Sequence, residues 1–191
     1  MRPTADPPIL APRSALRPAP GVIEAVVQTG AVETRYRRAG SGAPVLLLAG
    51  EGAQPLLASL LCELAMRFRV IAPEPWRARN GDAPPLATSA WLRDVIDGLG
   101  LARPSLVADE SFGVAALHFA LTDPARVGRL ALVRSGAADP ALDDGGIGDA
   151  LLHSGHPILL LHAGPDGAPP GIGAAAGDRL VRFLAGEVEG R

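Results

Sequence analysis

The chain of 191 residues contains no lysine; all 18 of its basic residues are arginine. A Ser-Lys dyad, a Schiff base and a P-loop lysine are therefore excluded. Cysteine is almost as scarce. Cys62 stands alone, so no internal disulfide can form, which favours a reducing compartment and a cytoplasmic location. Its setting, LLCEL, is apolar and helical and predicts a buried, unreactive thiol. No apolar run reaches membrane-spanning length. The first twenty residues, MRPTADPPILAPRSALRPAP, lack the continuous apolar stretch of a secretory leader. Aromatics make up only 4% of the chain, the net charge is -2, and no basic run is interleaved with aromatics. Nucleic acid is not an expected partner on that pattern, and neither is a membrane.

What is present suits a single folded domain. Hydrophobic residues make up 48% and charged residues 20%, enough to bury a sizeable core. Residues 1–20, rich in proline and arginine, read as an extended arm. Residues 21–191 read as one domain.

Within that domain strands and helices alternate. VIEAVVQT (22–29) and VETRYRR (32–38) read as a strand pair joined at Gly30-Ala31. PVLLLAG (44–50), FRVIAP (68–73), PSLVA (104–108), VGRLALVRS (127–135) and PILLLHAG (157–164) are short apolar runs suited to strands buried on both faces. Between them QPLLASLLCELAMRF (54–68), TSAWLRDVIDGLGL (88–101), FGVAALHFALT (112–122) and IGDALLHSG (147–155) carry helical spacing, and AAAGDRLVRFLAGEV (174–188) closes the chain. Thr88 or Ser89 is the expected N-cap of the second helix, with Gly98 or Gly100 near its end. The alternation predicts an α/β fold, a mostly parallel sheet with helices on both faces. Ligands of such sheets bind outside the carboxyl ends of the strands. The segments AGEG, PEPW, DES and HAGPD are therefore the candidate site.

The run WLRDVIDGLGLARPSLVADESFGVAALHFALTDPARVGRLALVRSG (91–136) resembles the α/β-hydrolase family. It has the family's order of helix, strand, nucleophile elbow, helix, turn and strand. The resemblance extends from about Val22 to the C-terminus and implies an α/β-hydrolase fold acting on a small molecule, with no cofactor. In the elbow, small-x-Ser-x-small, Ser111 takes the nucleophile position and Gly113 the second small position, while Asp109 stands where the family keeps glycine. Asp109 and Glu110 both bring negative charge beside Ser111, which disfavours an alkoxide or oxyanion there. Read without the resemblance, Ser111 would be a helix N-cap.

The resemblance implies an oxyanion hole made by the backbone N–H groups of Phe112 and Glu51. Glu51 follows Ala49-Gly50, where the family has His-Gly. Asp166, in His162-Ala163-Gly164-Pro165-Asp166, fits the position of the triad acid, with Asp139 in reserve; PDG is also a strong turn signal. The family histidine after the last strand has no counterpart, and that strand reads as shortened or absent. His162, at a strand end, is the best-placed substitute base, although it lies two strands from Ser111, with strands spaced at about 4.8 Å. His118 falls in the helix after Ser111 and reads as a core residue. Asp149, His153 and His156 show a D-x-x-x-H-x-x-H spacing, which is better read as histidines at a helix C-terminus than as a metal site. Neither metal nor cofactor is expected. The short link after VGRLALVRS predicts no cap domain, leaving an open site that a second copy or a partner chain could cover. Gly171-Ile172-Gly173-Ala174-Ala175-Ala176 mimics a dinucleotide motif but is followed by no strand and no acidic partner.

Three functions follow. The first is a diverged enzyme acting on a small ester, thioester, lactone or carbonyl compound, without the usual histidine and turned to non-hydrolytic work such as elimination or cyclisation. The second is a conventional serine esterase or thioesterase with His162 as relocated base. The third is an inactive binding or scaffold protein.

Overall fold

The structure, a computed structural model, describes residues 21–29, 32–74, 85–135, 155–163 and 174–187. In chain order its elements are β1 (Ile23–Thr29), β2 (Val32–Ala39), β3 (Pro44–Leu48), α1 (Gln54–Leu64), β4 (Arg69–Pro73) and α2 (Pro85–Gly98). They continue with β5 (Ser105–Ala108), α3 (Glu110–Thr122), β6 (Leu130–Ser135), β7 (Ile158–Ala163) and α4 (Ala174–Ala185). The strands form one seven-stranded sheet in the order β1-β2-β4-β3-β5-β6-β7. β1 pairs antiparallel with β2, and β2 antiparallel with β4. All other pairings are parallel.

The apolar runs divide between two cores by the two-residue period of a strand. On one face Leu47, Val70, Val107, Ala131 and Leu159 pack under α1 and α4. On the other, Leu46, Ile71, Leu106, Leu130 and Leu132 pack under α2 and α3. Helices on both faces follow from parallel strands that each need a crossover. Phe119 of α3 and Phe183 of α4 are fully buried, one in each core.

Three sequence expectations change. The second helix begins at Pro85, so Thr88 and Ser89 lie inside it rather than at its cap. Proline suits a first helical turn, where its missing N–H costs nothing. Ser89 is buried and its hydroxyl instead donates to the carbonyl of Ala115 on α3, at 3.1 Å. Cys62 is exposed, not buried. Leu57, Leu60, Leu61 and Leu64 set the buried face of α1, and position 62 falls outside that arc. The first helix also ends at Leu64; Phe68 nevertheless stays in the core.

α2 and α3 are tied at one end by ion pairs. Arg93 Nε donates to Asp123 at 3.0 Å, and Arg126 pairs with Asp97. The hydrogen bond from Arg126 holds the Asp97 carboxyl below the ordinary carboxylate range. Both pairs are at the surface, where screening keeps their contribution small. Among the described residues, no helix is long and apolar enough to cross a membrane.

Candidate active site

β3 and β5 are neighbours at the centre of the sheet, in register from Val45↔Ser105 to Leu48↔Ala108. Both chains leave the sheet at the same end. The Asp109 N–H donates to the carbonyl of Leu48 at 2.9 Å and extends the pairing by one step. The loop Ala49-Gly50 and the start of α3 are thus brought side by side, which is the strand-end position expected for a ligand site.

Asp109 joins the two. It is the N-cap of α3, with extended backbone (φ -77°, ψ -179°). Its Oδ1 accepts the Phe112 N–H at 3.2 Å, and its Oδ2 accepts the Gly50 N–H at 2.7 Å. The carboxyl is half-buried beside an apolar crevice lined by Leu48, Leu57, Leu60, Val107 and Val133. Burial raises its pKa above the ordinary 3.8; N–H groups of Gly50, Phe112 and Ser111 pull the other way, and neighbouring Glu110 adds to the rise. Desolvation of the charged form wins because one side of the group is apolar.

Ser111 is therefore not the cap. It is the second residue of α3, exposed at the surface beside Gly50. Among the described residues no non-glycine has positive φ, so the turn into α3 carries no left-handed strain at Ser111. A Cβ placed on Gly50 would come within 2.9 Å of Ser111 Cβ and closer still to its Oγ. Glycine is required there by close approach. Gly50→Ala is expected to force the loop or Ser111 aside and to lower stability by about 1–3 kcal/mol, measured by urea unfolding.

The other sequence-predicted residues separate into groups. Gly50, Asp109, Glu110, Ser111 and Phe112 are brought together. Glu51 opens a 3-10 turn next to Gly50, with its side chain outside the described residues. The Phe112 N–H, an expected oxyanion donor, is engaged by Asp109. The Phe112 ring leans on Trp91 of α2, centroids 6.2 Å apart, and Trp91 Nε1 donates to Thr34 Oγ1 at 3.1 Å. His162 lies on β7 in register with Arg134 of β6, two strands from β5; its side chain lies outside the described residues. Asp139, Asp149, His153 and Asp166 also lie outside them, as do residues 1–20, the link between β6 and β7 up to position 154, and the glycine-rich run 171–173. His118 is half-buried rather than fully in the core, and its Nδ1 has no hydrogen-bond partner among the described residues. His156 precedes β7, at the amino end of the strands. Burial lowers its pKa, and the nearby Arg103 charge lowers it further. Among the described residues no cluster of metal-ligating side chains forms.

The Asp109 clamp was not foreseen. Its signal was available: an aspartate three residues before Phe112 at a strand-to-helix junction is a strong N-cap pattern. Set against the family's glycine, Asp109 reads as a misfit; set against helix chemistry, it reads as a cap.

The antiparallel lead-in, the crossed order β4-β3 and the parallel strands with helices on both faces define the α/β-hydrolase fold. This chain is an α/β-hydrolase-fold protein. It is similar to a 2-hydroxy-6-oxo-2,4-heptadienoate hydrolase of Pseudomonas putida, 32% identical over 130 residues, covering 63% of this chain and 47% of that one. Its structure is similar to a serine hydrolase of Cycloclasticus zankles (TM-score 0.59, 18% identity, 74% of this chain and 80% of that one). It is also similar to a loop variant of a haloalkane dehalogenase of Bradyrhizobium elkanii (TM-score 0.51, 26% identity, 59% of this chain and 40% of that one). The chain spans about half the length of the curated relative it matches. No protein-family model matches it.

Proposed function

We propose that the chain is a diverged enzyme of this fold that acts on a small carbonyl compound, ester, thioester or lactone by proton transfer rather than by serine hydrolysis. The observation that carries this reading is the Asp109 carboxyl, held by the Gly50 and Phe112 N–H groups beside an exposed serine, with its pKa raised by burial. A carboxylate whose pKa is raised by burial is a better base. Its two oxygens offer about four lone-pair sites, so with the Gly50, Phe112 and Ser111 N–H groups bound one remains for a substrate proton. In an elimination, Asp109 takes the proton next to a carbonyl, the C–H electrons form the C=C bond, and the group at the β carbon leaves with its bonding pair. The Ser111 hydroxyl donates to the carbonyl oxygen as charge builds there.

Acyl-enzyme chemistry has less support. It needs a backbone donor for the oxyanion, and the Phe112 N–H is spent on Asp109. It also needs a base for the serine, and no histidine lies among the described residues around Ser111. The carbonyl class is supported by the Pseudomonas relative, whose name gives an oxo acid as its substrate. The spent Phe112 N–H also favours a second reading, an inactive binding protein.

The test is a panel of small carbonyl compounds and esters, assayed with wild type, Asp109→Asn and Ser111→Ala, together with a fluorophosphonate probe. The expected result is turnover of a carbonyl compound, or deuterium exchange next to its carbonyl. That activity should fall by about 10²–10⁴-fold in Asp109→Asn, with Ser111 unlabelled by the probe. Ester hydrolysis that is lost in Ser111→Ala, retained in Asp109→Asn and accompanied by labelling of Ser111 would return the protein to the serine hydrolases. Inactivity throughout the panel would favour the binding protein.

A further inference from the structure

On the face of the sheet that carries α1, the outer strands hold a charged groove. By strand alternation Glu24 and Val26 of β1 share that face with Glu33, Arg35 and Arg37 of β2. Glu74 follows β4 and ends the row; its N–H donates to the Arg35 carbonyl at 2.7 Å. These six residues line a groove of about 280 Å³. Glu24, Glu33 and Glu74 are exposed and, among the described residues, form no ion pair.

We propose that residues 13–19 of the same chain lie over this groove, folded back onto it by a turn at Pro20-Gly21. This goes beyond the reading of the active site and does not depend on it. Gly21 stands in a turn just before β1, with φ +88°. A Cβ there would meet nothing within 4 Å, so glycine answers the backbone angle and not crowding. Proline followed by glycine at φ about +80° is the pattern of a type II turn, which reverses the chain. Residues before the turn then run back along β1. Residues 1–20 hold six prolines, which withhold backbone donors; that suits a segment laid over the face and not one added to the edge as a strand. They also hold three arginines and one aspartate. Polyproline and strand chains rise at nearly the same rate, about 3.1 and 3.3 Å per residue. A chain reversed between Pro20 and Gly21 therefore sets Arg17 level with Glu24, and Arg13 level with Gln28, the register partner of Glu33. Leu16 falls level with Ala25, beside Val26, which is 52% exposed and offers an apolar contact. Arg35 and Arg37 lie among the carboxylates, so the groove selects where a cation can sit.

The test is limited trypsin digestion of the full chain, read by mass spectrometry. The chain has no lysine, and the bonds after Arg2 and Arg17 precede proline, where trypsin does not cut. Cleavage within residues 1–20 is therefore confined to Arg13–Ser14. The expected result is slow cleavage there in wild type, at a rate independent of protein concentration. Cleavage should be at least about fivefold faster in the triple variant Glu24→Gln, Glu33→Gln, Glu74→Gln, which loses the surface ion pairs that hold the segment. All three residues are exposed, so the variant keeps its core, and an unchanged far-UV circular dichroism spectrum checks this. A nitroxide attached to Ser14→Cys in a Cys62→Ser background gives a second readout. It should broaden the amide signals of Val26 and Arg35, and the broadening should be lost when the three glutamine substitutions are added. Equal cleavage rates in wild type and the triple variant, or a label that leaves those amides sharp, would overturn the proposal. Protection that fades on dilution would place the segment on a second copy and overturn it equally.

Discussion

Phe119→Ala is expected to destabilise the protein by about 3–5 kcal/mol. Phe119 is fully buried in the core under α2 and α3. Removing its ring loses the transfer free energy of the apolar surface and leaves a cavity that the surrounding side chains fill only in part. The loss should be the largest of any single truncation in α3, because its other buried side chains, alanines and Leu117, are smaller. α3 also carries Asp109 as its cap, so looser packing should propagate to the site. Urea unfolding at neutral pH measures the loss. A change below about 1 kcal/mol would mean that α3 is not seated as described.

Asp109→Ala is the second large effect, expected at about 1–3 kcal/mol near neutral pH. It removes the cap of α3 and leaves the Gly50 N–H without its acceptor. Relief of a buried charge offsets part of that loss, and this part depends on pH. The folded protein holds the Asp109 proton more tightly than the unfolded chain does, since its pKa is raised above 3.8. The protonated group's stabilisation is therefore fully present below 3.8 and is lost as pH rises through the folded value. Wild type should gain over Asp109→Ala as pH falls, so the gap between the two should be wider at about pH 4 than at about pH 7. Unfolding both proteins at the two pH values measures it. A gap that narrows on acidification would mean a lowered pKa, and with it a carboxylate better solvated than its surroundings imply.

The sheet was legible in the sequence because its strands are buried on both faces. PVLLL, RVIAP and SLVA leave few other readings, and the split of alternate residues between two cores confirms why they are apolar throughout. Boundaries were less legible. The helical spacing of TSAWLRDVIDG pointed to α2, but its first turn, Pro85 to Ala87, precedes the Thr-Ser pair that reads as a cap. The apolar run LLCEL does not reveal that Cys62 is exposed, because that depends on the helical arc that Leu57, Leu60, Leu61 and Leu64 define. At the site, the meeting of Gly50 with Ser111 depends on β3 and β5 being adjacent, a long-range fact that no local pattern contains. The Asp109 clamp has the same origin in part. Its bond to Phe112 is local, but its bond to Gly50 spans 59 residues.

The proposed chemistry depends most on the Asp109 carboxyl being the acceptor for both amides while keeping a raised pKa. An NMR titration of the Gly50 and Phe112 amide signals tests this without any knowledge of substrate. Both signals should move together through one titration with a midpoint above 3.8, and that shared titration should vanish in Asp109→Asn. Amides that titrate independently, or a common midpoint at or below the ordinary aspartate value, would contradict it.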